Sequence, residues 1–305
     1  LSTLSWRFVE TPFRHKSNAP DNSKRVLRAS VATLFAVGVL GLVWVSGEGW
    51  PSRVPREALA LARARHERDR PNPLCLRETL ARSGTISTAC RIGAREAEPS
   101  FALWGDSHAA AVSGAVAHQA ALLGRSGLLV SRSACPPLVD TNISGGRGTN
   151  SECRRFVEGV MARLEGDPLL DRVILIARWS IYVRGPLADS AGFITGANPL
   201  LLDESGSSRG ELERAAMLKT ALRRTAERLR ARGKSVFVSD PVPEVGWDVP
   251  TILARQHWFH GTSDGIGWAE AEYLSRNALA MNAIEELVTE GVVQRVSPQV
   301  KLCGT

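Results

Sequence analysis

Gly105-Asp106-Ser107-His108 is the stretch of this chain in which residue type and spacing could do covalent chemistry. Phe101-Ala-Leu-Trp104 before it reads as a short apolar strand, and Ala109-Ala-Ala-Val112 after it opens an alanine-rich helix. A serine at the carboxyl end of a strand sits where ligands approach an open α/β sheet. The first N–H groups of the following helix point at the same place and can hold an oxyanion. Gly105 permits the tight turn, and Asp106 suits a helix N-terminus through the dipole. The competing reading is an ordinary strand-to-helix turn with a serine cap.

A serine hydroxyl needs a base to become a nucleophile, and the base needs a carboxylate to orient it. An Asp-x-x-His turn would place the carboxylate behind the imidazole, but no Asp or Glu in this chain is followed by a His three positions later. His257 and His260, in Gln256-His-Trp-Phe-His260, are the internal alternatives. Their spacing suits a base or a metal on one helix face, and equally a pair of exposed or packing histidines. His108 would point away from Ser107 if the helix starts there, which suggests local packing or hydrogen bonding. His118 falls mid-helix and reads as surface. No Cys/His cluster suggests a metal.

The elements that would position this serine alternate along the chain. Strands are expected at Phe101–Trp104, Gly127–Ser131, Arg172–Ala177, Ser235–Ser239 and Val292–Val296. Helices are expected at Ala109 to about Leu123, around Glu152–Leu164, and over Glu211–Arg232 and Trp268–Glu290. Such alternation gives a parallel sheet with helices on both faces. The loop Ser144-Gly-Gly-Arg-Gly148 lacks the strand-to-helix placement of a phosphate loop and reads as surface.

The chain has 305 residues, 44% of them hydrophobic, which is enough for a sizeable core. Its net charge of +7 comes from diffuse arginine without an aromatic-interleaved basic stripe, which argues against nucleic acid as a partner. Arg7, Arg14, Lys16, Lys24, Arg25 and Arg28 all precede an uncharged run from Ala29 to Gly47. At about 1.5 Å per residue that run nearly crosses a hydrocarbon core of roughly 30 Å. Trp44 and Trp50 lie toward its far end as interfacial aromatics do, and the basic residues mark the cytoplasmic side. A signal peptide is the rival reading, although no small-residue cleavage site is evident. The expected organisation is a cytoplasmic segment 1–28, a membrane helix 29–47, an extracytoplasmic linker 48–98 containing a basic helix Arg56–Arg70, and an α/β domain 99–305.

Cys75, Cys90, Cys135 and Cys153 form two locally spaced pairs, and Cys303 stands alone. Disulfides Cys75–Cys90 and Cys135–Cys153 would suit an oxidising compartment, each worth about 3 kcal/mol by loop entropy. The alternative is five reduced, scattered cysteines.

Leu103-Trp-Gly-Asp-Ser-His-Ala109 resembles the first block of SGNH hydrolases, in the version fused to integral-membrane acyltransferases of the acyltransferase 3 family. Independently, Trp6-Arg-Phe-Val-Glu-Thr-Pro-Phe-Arg14 is similar to the R-F-x-E-x-P-x-R tail that closes that membrane domain. The resemblance implies an SGNH-hydrolase-like, flavodoxin-like three-layer α/β sandwich preceded by one transmembrane helix. It implies Ser107 as nucleophile and as an oxyanion N–H donor, with Asp106 and His108 beside it as candidate oxyanion or substrate-pocket residues. The further oxyanion donors of the family follow its second and third strands. Those places hold Ser133-Ala-Cys-Pro136 and Ala177-Arg-Trp-Ser180, which makes Ser133, Arg178 and Trp179 the candidates for an oxyanion or acceptor pocket. Trp179 could equally be a core residue. Asp240-Pro-Val-Pro243 resembles the family's P-x-P turn.

The family's base and orienting carboxylate follow an L-C pair that Val300-Lys-Leu-Cys303 matches, so the chain is expected to be a fragment; a naturally short, inactive domain is the alternative. The activity implied is O-acyl transfer, typically of acetyl from acetyl-CoA, to a hydroxyl of an extracytoplasmic glycan at the plasma or inner membrane. No cofactor is expected within the domain itself. A carbohydrate esterase and a silent, membrane-tethered glycan-binding domain are the competing functions.

Overall fold

The computed structural model describes residues 22–66, 90–145, 150–187, 199–264, 266–267 and 269–302, together with Thr3, Trp6 and Arg7. Helix α1, Asn22–Ser46, is exposed along its described length, and Lys24–Ser46 is long and apolar enough to cross a membrane. The helix runs back through the basic residues that the sequence reading left outside the apolar span. It ends in a sharp reversal at Glu48, Gly49 and Trp50, all with positive φ. A single 3₁₀ turn, Pro51–Arg53, leads into α2, Arg56–Ala64. That helix is shorter than expected from the sequence, and residues 67–70 of the expected helix lie outside the described residues.

The domain is built on a six-stranded sheet in the order β1 (Arg91–Gly93), β3 (Ser126–Ser131), β2 (Pro99–Gly105), β5 (Arg172–Ile176), β7 (Ser235–Ser239) and β8 (Gln294–Val296). β1 pairs antiparallel with β3, and every other pairing is parallel. The sheet is therefore mixed rather than purely parallel, and its antiparallel edge comes from the stretch read as linker. Three residues ending in a glycine carry too little periodicity to announce a strand. The five parallel strands run second, first, third, fourth, fifth, the flavodoxin-like order of doubly wound sheets. This order reverses at β2, so the carboxyl ends of β2, β3 and β5 frame the crevice where ligands bind in such folds. A two-stranded ribbon of β4 (Asn142–Ile143) and β6 (Leu201–Leu202) stands apart from the main sheet.

Alternation along the strands divides the core in two. Ala102, Trp104, Val173, Leu175, Val236 and Val238 face a large cluster filled by α4 (Asn150–Gly166), α6 (Glu211–Arg230) and α8 (Glu270–Thr289). Leu103, Leu129 and Ile176 face a small cluster with Ala109 of α3, Ser107–Leu122. Ile174 and Phe237 on that side are only half-buried, and Val296 is 40% exposed. Among the described residues, one face of the sheet is thus thickly covered and the other thinly. Cys135 and Cys153 form a disulfide tying the turn after β3 to α4. Cys90 is also disulfide-bonded; its expected partner Cys75, like Cys303, lies outside the described residues.

Candidate active site

Gly105 ends β2 wedged between β5 and α3. A Cβ there would stand 1.6 Å from the Ile176 carbonyl oxygen and 3.0 Å from Ala109 Cβ. Only a residue without a side chain lets the strand end this close to its neighbour, which brings the serine turn to the crevice between β2 and β5.

Asp106 is the N-cap of α3 and is 1% exposed. Its Oδ1 accepts the His108 N–H at 2.8 Å, as an N-cap aspartate should. Its Oδ2 accepts the Arg178 backbone N–H at 2.9 Å and the Tyr182 hydroxyl at 2.8 Å. One carboxyl group thereby joins the start of α3 to the turn after β5 and to α5, Trp179–Arg184. Burial, and then the neighbouring Asp106, push the Tyr182 hydroxyl well above its ordinary pKa, so it stays protonated and a donor.

Ser107, by contrast, is exposed as the first residue of α3. Its own N–H belongs to the helix turn that has no intrahelical acceptor, and Asp106 occupies the N–H of His108 rather than that of Ser107. The hydroxyl and an amide donor therefore share one open edge, which can accommodate an acyl carbonyl and the negative charge that attack places on it.

Arg178 follows directly. Its Nε and Nη2 grip the two oxygens of Glu244 at 2.7 and 3.1 Å, and the Arg276 guanidinium reaches the same carboxylate at 3.5 Å. Glu244 is buried between the two arginines, and its charge offsets part of theirs beside the serine turn. Glu244, Tyr182 and Arg276 were not singled out in the sequence. They lie far from Ser107 along the chain and share no motif spacing with it, so no local signal marks them.

The remaining candidates separate. Ser133 is exposed in the turn after β3, whose Arg132 N–H bonds the Gly105 carbonyl at 3.1 Å, so it lies on the same sheet edge as Ser107. Trp179 does not line a pocket. It is fully buried in the large cluster, and its indole N–H donates to the Ser239 carbonyl at 2.8 Å, so of its two readings, pocket or core, the structure has the core one. Its size and apolarity suit the core, and its one polar atom is already satisfied there. His257 and His260 lie on a helix the sequence reading left out, α7, Val249–His260. No group of three His, Cys, Asp or Glu side chains among the described residues converges as a metal site. Asp240 of the Asp-Pro-Val-Pro turn is structural: it accepts from Arg295 and Ser297.

His108 is half-buried, and its Nδ1, closed off from water, has no hydrogen-bond partner among the described residues. Burial lowers its pKa below the ordinary 6.5, against the opposing pull of Asp106 and Glu244 and with some help from Arg178. As pH falls, the unfolded chain therefore takes up this proton before the folded one does. The stability associated with His108 is complete above the unfolded value and is lost as pH drops through it toward the lower folded value. Urea melts from neutral to acid pH should show this decline in the wild type and a shallower one in His108→Gln. Parallel curves would remove His108 as its source.

The family model described as an SGNH domain fused to AT3 domains matches residues 74–305. The chain belongs to that family. No curated protein and no solved structure matches it. The SGNH match spans the whole sheet, from the antiparallel edge strand to β8, and includes the Gly105–His108 turn. An SGNH domain of this fusion type is consistent with acyl-transferring or hydrolytic chemistry.

Proposed function

We propose that the SGNH domain is the extracytoplasmic half of a membrane O-acyltransferase, with Ser107 carrying the acyl group as an ester. The observation that supports it best is the contrast within the turn: Asp106 is buried and held by three donors, while Ser107 beside it is open. Asp106, not Ser107, caps α3, so the competing reading of Ser107 as a helix cap does not account for its place in the turn.

In this reading Ser107 Oγ attacks the acyl carbonyl and gives its proton to a base. The Ser107 N–H and the positive end of α3 stabilise the oxyanion, while the Arg178 guanidinium is committed to Glu244. The bond to the donor group breaks as that group takes up a proton, leaving acyl-Ser107. An acceptor hydroxyl then attacks the ester, yields its proton to the same base, and releases Ser107. The chain has no Asp-x-x-His, and half-buried His108 has its Nδ1 closed off from water, so this reading leaves the base and its orienting carboxylate unassigned. By family resemblance the donor is acetyl, drawn from acetyl-CoA by the membrane domain, and the acceptor is a glycan hydroxyl. The proposed topology has α1 spanning the plasma or inner membrane with the SGNH domain outside. Nucleic acid has no place in this reading.

The direct test is to trap the ester. Full-length enzyme given an isotopically labelled acetyl donor and quenched in acid should yield the peptide around Gly105–Ala109 acetylated on Ser107, with the label discharged on adding a glycan acceptor. Transfer to acceptor without any label on Ser107 would overturn the proposal. Discharge at the same rate to water alone would make the enzyme an esterase.

A further inference from the structure

Helix α7 exposes two adjacent aromatic side chains, Trp258 at 37% and Phe259 at 66%, their rings stacked 5.2 Å apart. Single exposed aromatics are common on protein surfaces, but an adjacent stacked pair at a helix end invites an occupant. The position of this pair identifies one. The Arg53 guanidinium lies 4.8 Å from the Trp44 ring centroid and 5.6 Å from that of Trp258, so it sits between the last turn of α1 and the last turn of α7. The two indoles cannot be farther apart than those two distances together. Trp50 packs on Trp44 at 5.2 Å and completes the group.

If Trp44 and Trp50 lie in the headgroup layer at the end of a membrane span, Trp258 lies in it or at its rim, since that layer is about 5–8 Å deep on each side. The surroundings suit such a location. Helix α2 packs along α7, and the Arg65 side chain pairs at 3.0 Å with Asp248, the N-cap of α7. Arg255 and His260 are exposed on α7 beside the aromatic pair, facing where anionic lipid headgroups would lie.

The same helix is tied to the serine turn. Between β7 and α7 the chain passes Glu244, which grips Arg178, whose backbone N–H in turn holds Asp106. From Glu244 to the start of α7 is at most about 17 Å of extended chain. Helix α7 therefore springs from the carboxyl edge of the sheet, the edge that carries Ser107.

We propose that α7 is an interfacial helix whose Trp258–Phe259 end rests in the bilayer spanned by α1, so that the Ser107 edge of the sheet faces the membrane and serves acyl donors and acceptors at its surface. This rests on the proposed membrane topology of α1, and the experiment separates the two. The full chain, reconstituted in anionic vesicles, carries an environment-sensitive NBD label at one of three exposed positions: Phe259→Cys, Leu34→Cys in α1, or Leu169→Cys at the opposite, amino-terminal edge of β5. Unsubstituted protein labelled in parallel sets the background from native cysteines.

Doxyl lipids should quench the label at 34 strongly and at 259 by about twofold or more, and leave that at 169 unchanged. Quenching at 34 without quenching at 259 overturns this inference and leaves the span intact. No quenching at 34 overturns the span, and this inference with it. A label at 259 that is blue-shifted yet indifferent to doxyl lipids means a protein covers α7, which also overturns the inference.

Discussion

Gly105→Ala should leave little folded protein. The added methyl would sit 1.6 Å from the Ile176 carbonyl oxygen and 2.7 Å from its carbon, backbone atoms that cannot rotate away. Relief requires β2 and β5 to part at the residue where their pairing delivers the serine turn. Overpacking a core with a flexible neighbour typically costs about 1–3 kcal/mol, and a collision with main chain belongs to the larger class above about 4 kcal/mol. Against total stabilities of about 5–15 kcal/mol, that is most of what such a domain has. Gly166→Ala is the matched control, because a Cβ there meets nothing within 4 Å. Urea denaturation of the two variants should separate them by several kcal/mol. A Gly105→Ala protein within about 1 kcal/mol of wild type would show that the β2–β5 approach is looser than described.

Ser107→Ala should have the opposite signature, an intact fold without catalysis. The Ser107 side chain is exposed, and no hydrogen bond to its hydroxyl is seen among the described residues, so removing the oxygen takes nothing from the packing. Melting should stay within the range of ordinary surface substitutions, about 0.5 kcal/mol either way. On the proposed acyl-enzyme route, acyl transfer should fall by about a thousandfold or more, because that route closes and only binding and the oxyanion site remain. A loss of less than about tenfold with the fold intact would deny Ser107 the role of nucleophile.

How much of this was readable in the chain depends on how local each feature is. The strands at Ser126–Ser131, Arg172–Ile176 and Ser235–Ser239 and the helices at Glu211–Arg230 and Glu270–Thr289 appear within about two residues of where periodicity puts them, since each carries its own apolar pattern. The edge strand Arg91–Gly93 was missed because three residues have no pattern of their own and are ordered by β3. Helix α7 was missed because its sequence spreads apolar residues around the helix rather than along one stripe. At the site, the turn was legible because Gly, Asp and Ser each act on their immediate neighbours. The residues that hold Asp106 and Arg178 in place were not, because Tyr182 and Glu244 meet them only after the sheet has formed. Trp179 stood open between pocket and core because the sequence shows only that it follows the third parallel strand; the first turn of α5 carries it into the core.

The uneven covering of the sheet has a consequence for how the domain breathes. Strands β7 and β8 are buttressed by helices on one side, while Phe237 and Val296 on the other keep partial contact with water. Transient opening costs least where the fewest apolar contacts must be given up. Of the five parallel strands, β8 and then β7 should be the first whose amide protons meet solvent. Those of β2, held between β3 and β5 and backed on both sides, are the last. The Gly105–Ser107 turn hangs from the stiffest plank of the sheet, and fraying at the far edge can proceed without loosening it.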